Sequence, residues 1–327
     1  MPLPSTGRRA LHRFTRWPRT QAGVIRELVV IVAVSIVGGA LIAGLALPWV
    51  GLAAKGAQQA SAGINQQLPV PLVFKPLNQR TVVLAADGTP ITSFYDENRV
   101  AVGLSAVAPV MRRSIVAIED SRFYEHGAID VRGTLRAFVQ DQGGITVQGG
   151  STITQQLVKL TLIEQATTRK AQLAAIAEDY ARKLKELRYA IWVDDHYTKD
   201  QILQRYLNTA YFGDGAYGIE SAAHHFFSTT AAKLTLTQAA LIAGLVQDPT
   251  HYNPVVYPNN AKQRRNTVLF RMWQLHEITR TQSNQAQAAP LGLKVAPARN
   301  GCVSSTYPFY CDYVLHYLLK DPALGKT

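Results

Sequence analysis

Three short segments carry residue types that could do chemistry together. The first is Glu119-Asp120-Ser121-Arg122-Phe123-Tyr124-Glu125-His126-Gly127. Two acids end an apolar run (Ile115, Val116, Ile118) and meet aromatics, a histidine and a glycine turn. A carboxylate set against apolar and aromatic neighbours is desolvated, which raises its pKa and makes it a usable general base. The plainer reading is a helix end whose charge pairs with Arg112 or Arg113. The second segment, Gly149 to Lys159, leads from glycines into Ser151, Thr152, Thr154, Gln155 and Gln156. Ser and Thr cap helices, the free N–H groups there can hold an anion, and Lys159 adds a positive charge two turns on. Read alone, it is also simply a well-capped helix. The third segment sets Arg182 four residues and Lys183 three residues before Glu186, so the three share one helical face. Such a face binds a diphosphate with Glu186 orienting the cations, or is a solvated face laced with salt bridges.

These groups need elements to hold them. Thr81 to Tyr95 has two apolar-containing runs around Asp87-Gly88, a strong hairpin signal. From Ala106 the period turns helical. The pattern predicts helices near Val110–Asp120, Asp130–Gln140, Ser151–Glu164, Thr168–His196, Lys199–Tyr211, Gly218–Phe227, Leu236–Val246 and Asn260–Leu275. Asp141 to Gly150 carries four glycines and reads as a loop of the kind that gates substrate entry. Tyr206-Leu207-Asn208 to Tyr217-Gly218-Ile219 reads as helix, glycine stop, helix, and Gln247 to Pro254 as a rigid turn. His224 and His225 are adjacent and point apart, so no protein-built metal site is expected.

With 327 residues, 47% of them hydrophobic, the chain can bury a sizeable core. Its formal net charge is +12, which suits an anionic lipid surface or substrate. Zinc-finger spacing, an RNA-recognition signature and a basic region with heptads are all missing, so nucleic acid is the weaker partner. Leu28 to Ala54 contains no charged residue, and arginines crowd the segment before it. A helix of that length, about 40 Å, exceeds the ~30 Å hydrocarbon core. The run reads as an uncleaved single-pass anchor with residues 1–27 cytoplasmic, 55–79 a juxtamembrane connector and all later residues outside. A signal peptide, with Ala60-Ser61-Ala62 as cleavage site, is the competing reading. In an exported tail, Cys302 and Cys311 could close a small disulfide loop or stand as free thiols.

In combination and order, the five segments resemble the family 51 glycosyltransferases, the polymerase domains of class A penicillin-binding proteins and monofunctional transglycosylases. The resemblance covers roughly Arg80 to Leu275, assigned as residues 80–275. It is carried by Glu119-Asp120 with Phe123, His126 and Gly127, by Gly149 to Lys159, and by Arg182-Lys183 before Glu186. It continues through Tyr206-Leu207-Asn208, Phe212-Gly213 and Gly218-Ile219 to Pro249 and Tyr252-Asn253-Pro254. Three positions depart from the pattern: Ala128 for a usual Gly, Leu160 for Asn, and Phe226 for Tyr.

The resemblance implies a mainly α, lysozyme-like domain with a small N-terminal β hairpin, preceded by one transmembrane helix. It implies catalysis by Glu119 and Glu186. Substrate binding would fall to Asp120, Phe123, His126, Ser151, Thr152, Thr154, Gln155, Gln156, Lys159, Arg182, Lys183 and Asn208. The implied reaction polymerises lipid II onto a lipid-linked glycan strand at the membrane, within a cell-wall synthesis complex. No cofactor is obligatory, although a divalent cation at the substrate diphosphate is compatible. Residues 276–327 resemble the connector into a transpeptidase domain whose motifs are not found here, which reads as a bifunctional protein cut short. Two rivals remain open: a lytic enzyme on the related scaffold, for which a basic diphosphate site has no use, and a non-catalytic partner.

Overall fold

The computed structural model describes residues 71–130, 151–176, 180–296 and 299–322. Residues 1–70, which hold the expected cytoplasmic segment (1–27), the expected anchor (28–54) and most of the expected connector (55–79), lie outside them, as do the predicted helix Asp130–Gln140 beyond its first residue and the glycine-rich loop. Among the described residues no helix is long and apolar enough to cross a membrane.

The described chain is mainly helical with two small sheets. Strands β1 (Thr81–Leu84) and β2 (Pro90–Phe94) form the expected antiparallel hairpin, pairing Thr81 with Phe94 and Val83 with Thr92. Its turn works as the sequence suggests. Gly88 takes φ +82°, and the Asp87 carboxylate accepts the Thr89 amide at 2.9 Å. A second sheet, which the sequence does not announce, pairs β3 (Asn98–Arg99) in parallel with β4 (Ala216–Tyr217). Two-residue strands carry no readable alternation.

The helices are α1 (Pro109–Glu119), α2 (Ile153–Glu164), α3 (Arg169–Ile176), α4 (Tyr180–His196), α5 (Lys199–Thr209) and α6 (Ile219–Phe227). They continue with α7 (Leu236–Leu245), α8 (Pro258–Gln274), α9 (Arg280–Ala288) and α10 (Pro308–Lys320). Most starts follow local chemistry. Proline opens α1, α8 and α10, and Thr198, Thr235 and Thr279 form capping boxes with Gln201, Gln238 and Gln282.

Helix α7 is the core element. Ala239 to Leu245 are all buried, so it is apolar all round and packs between α1 and α8. The segment after residue 275 also packs on this body. Arg265, fully buried, donates to the carbonyls of Gln287 and Ala289 at 2.8 Å each, and Ile278 and Ala286 join the core. Further on, Cys302 and Cys311 are disulfide-bonded, and Gly301 donates its amide to Ser93 of β2.

Candidate active site

The site is built where α1 ends and α2 begins. Glu119 is the last residue of α1, its side chain 12% exposed. One carboxylate oxygen accepts Gln156 Nε2 at 2.9 Å, and the other lies 3.9 Å from Arg264 Nη2 on α8. Gln156 is itself oriented: Tyr206, fully buried on α5, donates its hydroxyl to Gln156 Oε1 at 2.8 Å. Burial pushes the Glu119 carboxyl above the ordinary carboxylate range, against the Gln156 hydrogen bond and the Arg264 charge, which both pull it down. That is the environment of a general base, as the apolar and aromatic neighbours suggest. Burial likewise drives the Tyr206 phenol well up, so it stays a hydrogen-bond donor.

Asp120 holds the two segments together. Its carboxylate accepts the Ile153 amide at 3.2 Å, at the first residue of α2, and contacts His126 Nε2 at 2.7 Å. Thr152 caps α2 by accepting the Gln155 amide at 3.2 Å and donates to the Ala128 carbonyl. Two of the amides that the sequence offers to an anion are therefore taken by the protein's own oxygens. A carboxylate at a helix N-terminus stabilises it, and here the anion is internal.

The cations come from α4. Glu186, 2% exposed, is ion-paired with Arg182 and lies 3.6 Å from Lys183 Nζ. Lys183 also donates to Ser151 Oγ at 2.8 Å. A continuous path of contacts thus runs from Glu119 through Gln156, which reaches the Ser151 carbonyl at 3.5 Å, to Lys183 and Glu186. Lys159 is exposed on α2. The remaining sequence-predicted residues are turned inward. Phe123 and Thr154 are fully buried, Gln155 donates to Ala128 O, and Asn208 bridges Val102 and the Gln204 carbonyl.

Among the described residues one group has possible metal-ligand spacing: Asp120, His126 and Asp130, whose ligand atoms lie within 4.8 Å of one another. It fits a cation poorly. Asp120 already accepts Ile153 N and contacts His126, whose Nδ1 is 2.6 Å from the Gly127 carbonyl, while Asp130 is paired with Arg122.

Arg264 and Gly244 escape sequence reasoning. Arg264 sits in a run of polar α8 residues with no periodic signal, and its partner is 145 positions away. A glycine inside an otherwise apolar helix was the available hint.

Residues 87–273 match the family described as Transglycosylase. The chain is 36% identical over 239 residues to penicillin-binding protein 1F of Bacillus subtilis, covering 73% of this chain and 31% of that protein. It is 40% identical over 222 residues to penicillin-binding protein 1A/1B of the same organism, covering 67% and 22%. Against penicillin-binding protein 1A of Escherichia coli it is 37% identical over 227 residues, covering 68% and 25%. The match spans less than a third of the length of each of these relatives. On the match over residues 87–273, this chain belongs to the transglycosylase family.

Proposed function

We propose that this domain is a peptidoglycan glycosyltransferase that polymerises lipid II into β-1,4 glycan strands. The observation that carries the reading is the buried, raised-pKa carboxyl of Glu119, joined through Gln156 and Ser151 to the Arg182–Lys183–Glu186 cluster. A base and a cation cluster are what the reaction requires. The acceptor is the 4-hydroxyl of an N-acetylglucosamine unit, a poor nucleophile near neutral pH. Glu119 removes its proton as the new C–O bond forms at the donor's anomeric carbon. The bond from that carbon to the lipid diphosphate breaks, and the electron pair leaves with the diphosphate. Lys183, Arg182 and the exposed Lys159 stabilise the developing charge. Glu186 keeps the two α4 cations in place without competing for solvent. Direct displacement inverts the α linkage to β.

The uncharged run 28–54 supports a placement at the membrane surface, with the arginine-rich segment cytoplasmic and the domain outside. A divalent cation accompanying the diphosphate is compatible with the reading but not required by it. The test is to offer the detergent-solubilised chain labelled lipid II and, separately, finished cell wall. Polymer and released lipid diphosphate from the first, with no sugar from the second, are expected. Sugar released from the wall without polymer would replace the reading with a lytic one.

A further inference from the structure

The two oxygens of Glu119 face different elements, one hydrogen-bonded and the other 3.9 Å from a cation. Gln156 on α2 takes one, and Arg264 on α8 approaches the other. The route that Arg264 follows is unusual. Its side chain runs across the backbone of α7, where Nε donates to the Gly244 carbonyl at 3.2 Å, and its guanidinium lies 5.8 Å from the centre of the Tyr252 ring. Gly244 is the penultimate residue of α7, in its last turn, where glycine still favours the helix less than alanine would. A Cβ at this position would lie 2.9 Å from Arg264 Cγ and 3.6 Å from the Arg264 backbone carbon. The missing methyl therefore opens the channel through which the arginine reaches the carboxylate.

We propose that Arg264 is a positioning residue for Glu119, keeping the base ionised and aimed, and that Gly244 is the opening that lets it do so. This rests on the reading of Glu119 as the base. Burial shifts the carboxyl toward its protonated, inactive form, and a positive charge at close range opposes that shift. Among the described residues, the charged and titratable groups acting on Glu119 are Arg264 from α8, the Tyr206 hydroxyl behind Gln156 from α5, and Asp120 beside it in the chain. Arg264 is the cation among them. It is itself desolvated, so its charge is poorly screened.

The test uses the full chain in detergent with three variants, Arg264→Gln, Arg264→Lys and Gly244→Ala. Two readouts are taken: the pH dependence of lipid II polymerisation, and titration of the Glu119 side-chain carbon in 13C-glutamate-labelled protein, identified by its loss in Glu119→Gln. Arg264→Gln is expected to move both the acid limb and the titration upward by about one pH unit, roughly a tenfold loss of rate on that limb. Arg264→Lys should restore most of the shift. Gly244→Ala should shift both in the same direction although it changes no charge. A Glu119 titration unmoved in folded Arg264→Gln would overturn the proposal. Where that variant does not fold, an unmoved titration in Gly244→Ala overturns it equally. The carboxyl titration decides this even if the parent forms no polymer, an outcome that would count against the proposed function instead.

Discussion

At the scale of the residue, the role proposed for Glu119 sets function against stability. Its pKa is raised in the fold, so the protonated form is the one the fold favours. The stability linked to it is fully present below the unfolded pKa and is lost as pH rises through the folded one. At neutral pH the ionised base is thus a cost, and Glu119→Gln, which mimics the neutral acid, should melt above the parent. The gap should close as pH falls, because both side chains are then uncharged, and melting curves across pH check it. Catalysis runs the other way: rate should fall as pH drops through the same raised pKa. Much of this candidate site was legible from the chain, because Glu119-Asp120 at a helix end, Ser151 to Gln156 at a helix cap and Arg182 to Glu186 on one helix face are local runs. What was not legible is contact across elements. Arg264 to Glu119, Tyr206 to Gln156 and Lys183 to Ser151 each join separate helices or a helix and a loop.

The hairpin and the described helices up to α8 follow the predicted pattern, which does not include α9 and α10 although a Thr279–Gln282 capping box and Pro308 open them. The Asp87-Gly88 turn, the prolines of α1 and α8 and the Thr-x-x-Gln capping boxes act within four residues, so the chain advertises them. The two-residue β3 and β4 strands, by contrast, exist only through their pairing. Turns also tie elements together at short range. Gly213 has φ +91°, and a Cβ there would stand 2.7 Å from the Pro249 carbonyl oxygen. Gly213→Ala should therefore cost at least about 2 kcal/mol, from left-handed backbone strain plus the forced separation of the two turns. Denaturant unfolding measures it. The Cys302–Cys311 bond acts on the tail in the same local way. Replacing both with serine should remove about 2–3 kcal/mol of loop constraint. The result is faster hydrogen exchange at the Gly301 amide, which is bonded to the β hairpin.

For the molecule as a whole, one buried cation ties distant parts of the sequence into a single body. Arg99, 1% exposed, pairs with Glu97 and with Glu164 at the end of α2, 2.8 Å each, and lies over the Tyr217 ring of β4. Removing it strands Glu97, which burial already pushes upward, and leaves Glu164 with Arg205, 3.9 Å away. Arg99→Met, which keeps the apolar stem, should cost about 3 kcal/mol, a drop of roughly 6–12 °C in melting temperature. The central place of α7 shows only in its packing, whereas a helix-rich body with a sizeable core was readable from periodicity and composition. The packing of 276–296 onto it through Arg265 was not, because an arginine in a polar run looks solvent-facing until its carbonyl partners are folded around it.

The central claim is that Glu119 is the base of a polymerising enzyme. Labelled lipid II, offered at neutral pH to the parent and to Glu119→Gln, with products separated by size, tests it most directly. Long polymer from the parent and a loss of at least about a hundredfold in the variant, which remains folded, is the predicted result. Polymer formed equally by both would remove Glu119 from the chemistry, and none from a folded parent would contradict the enzymatic account itself.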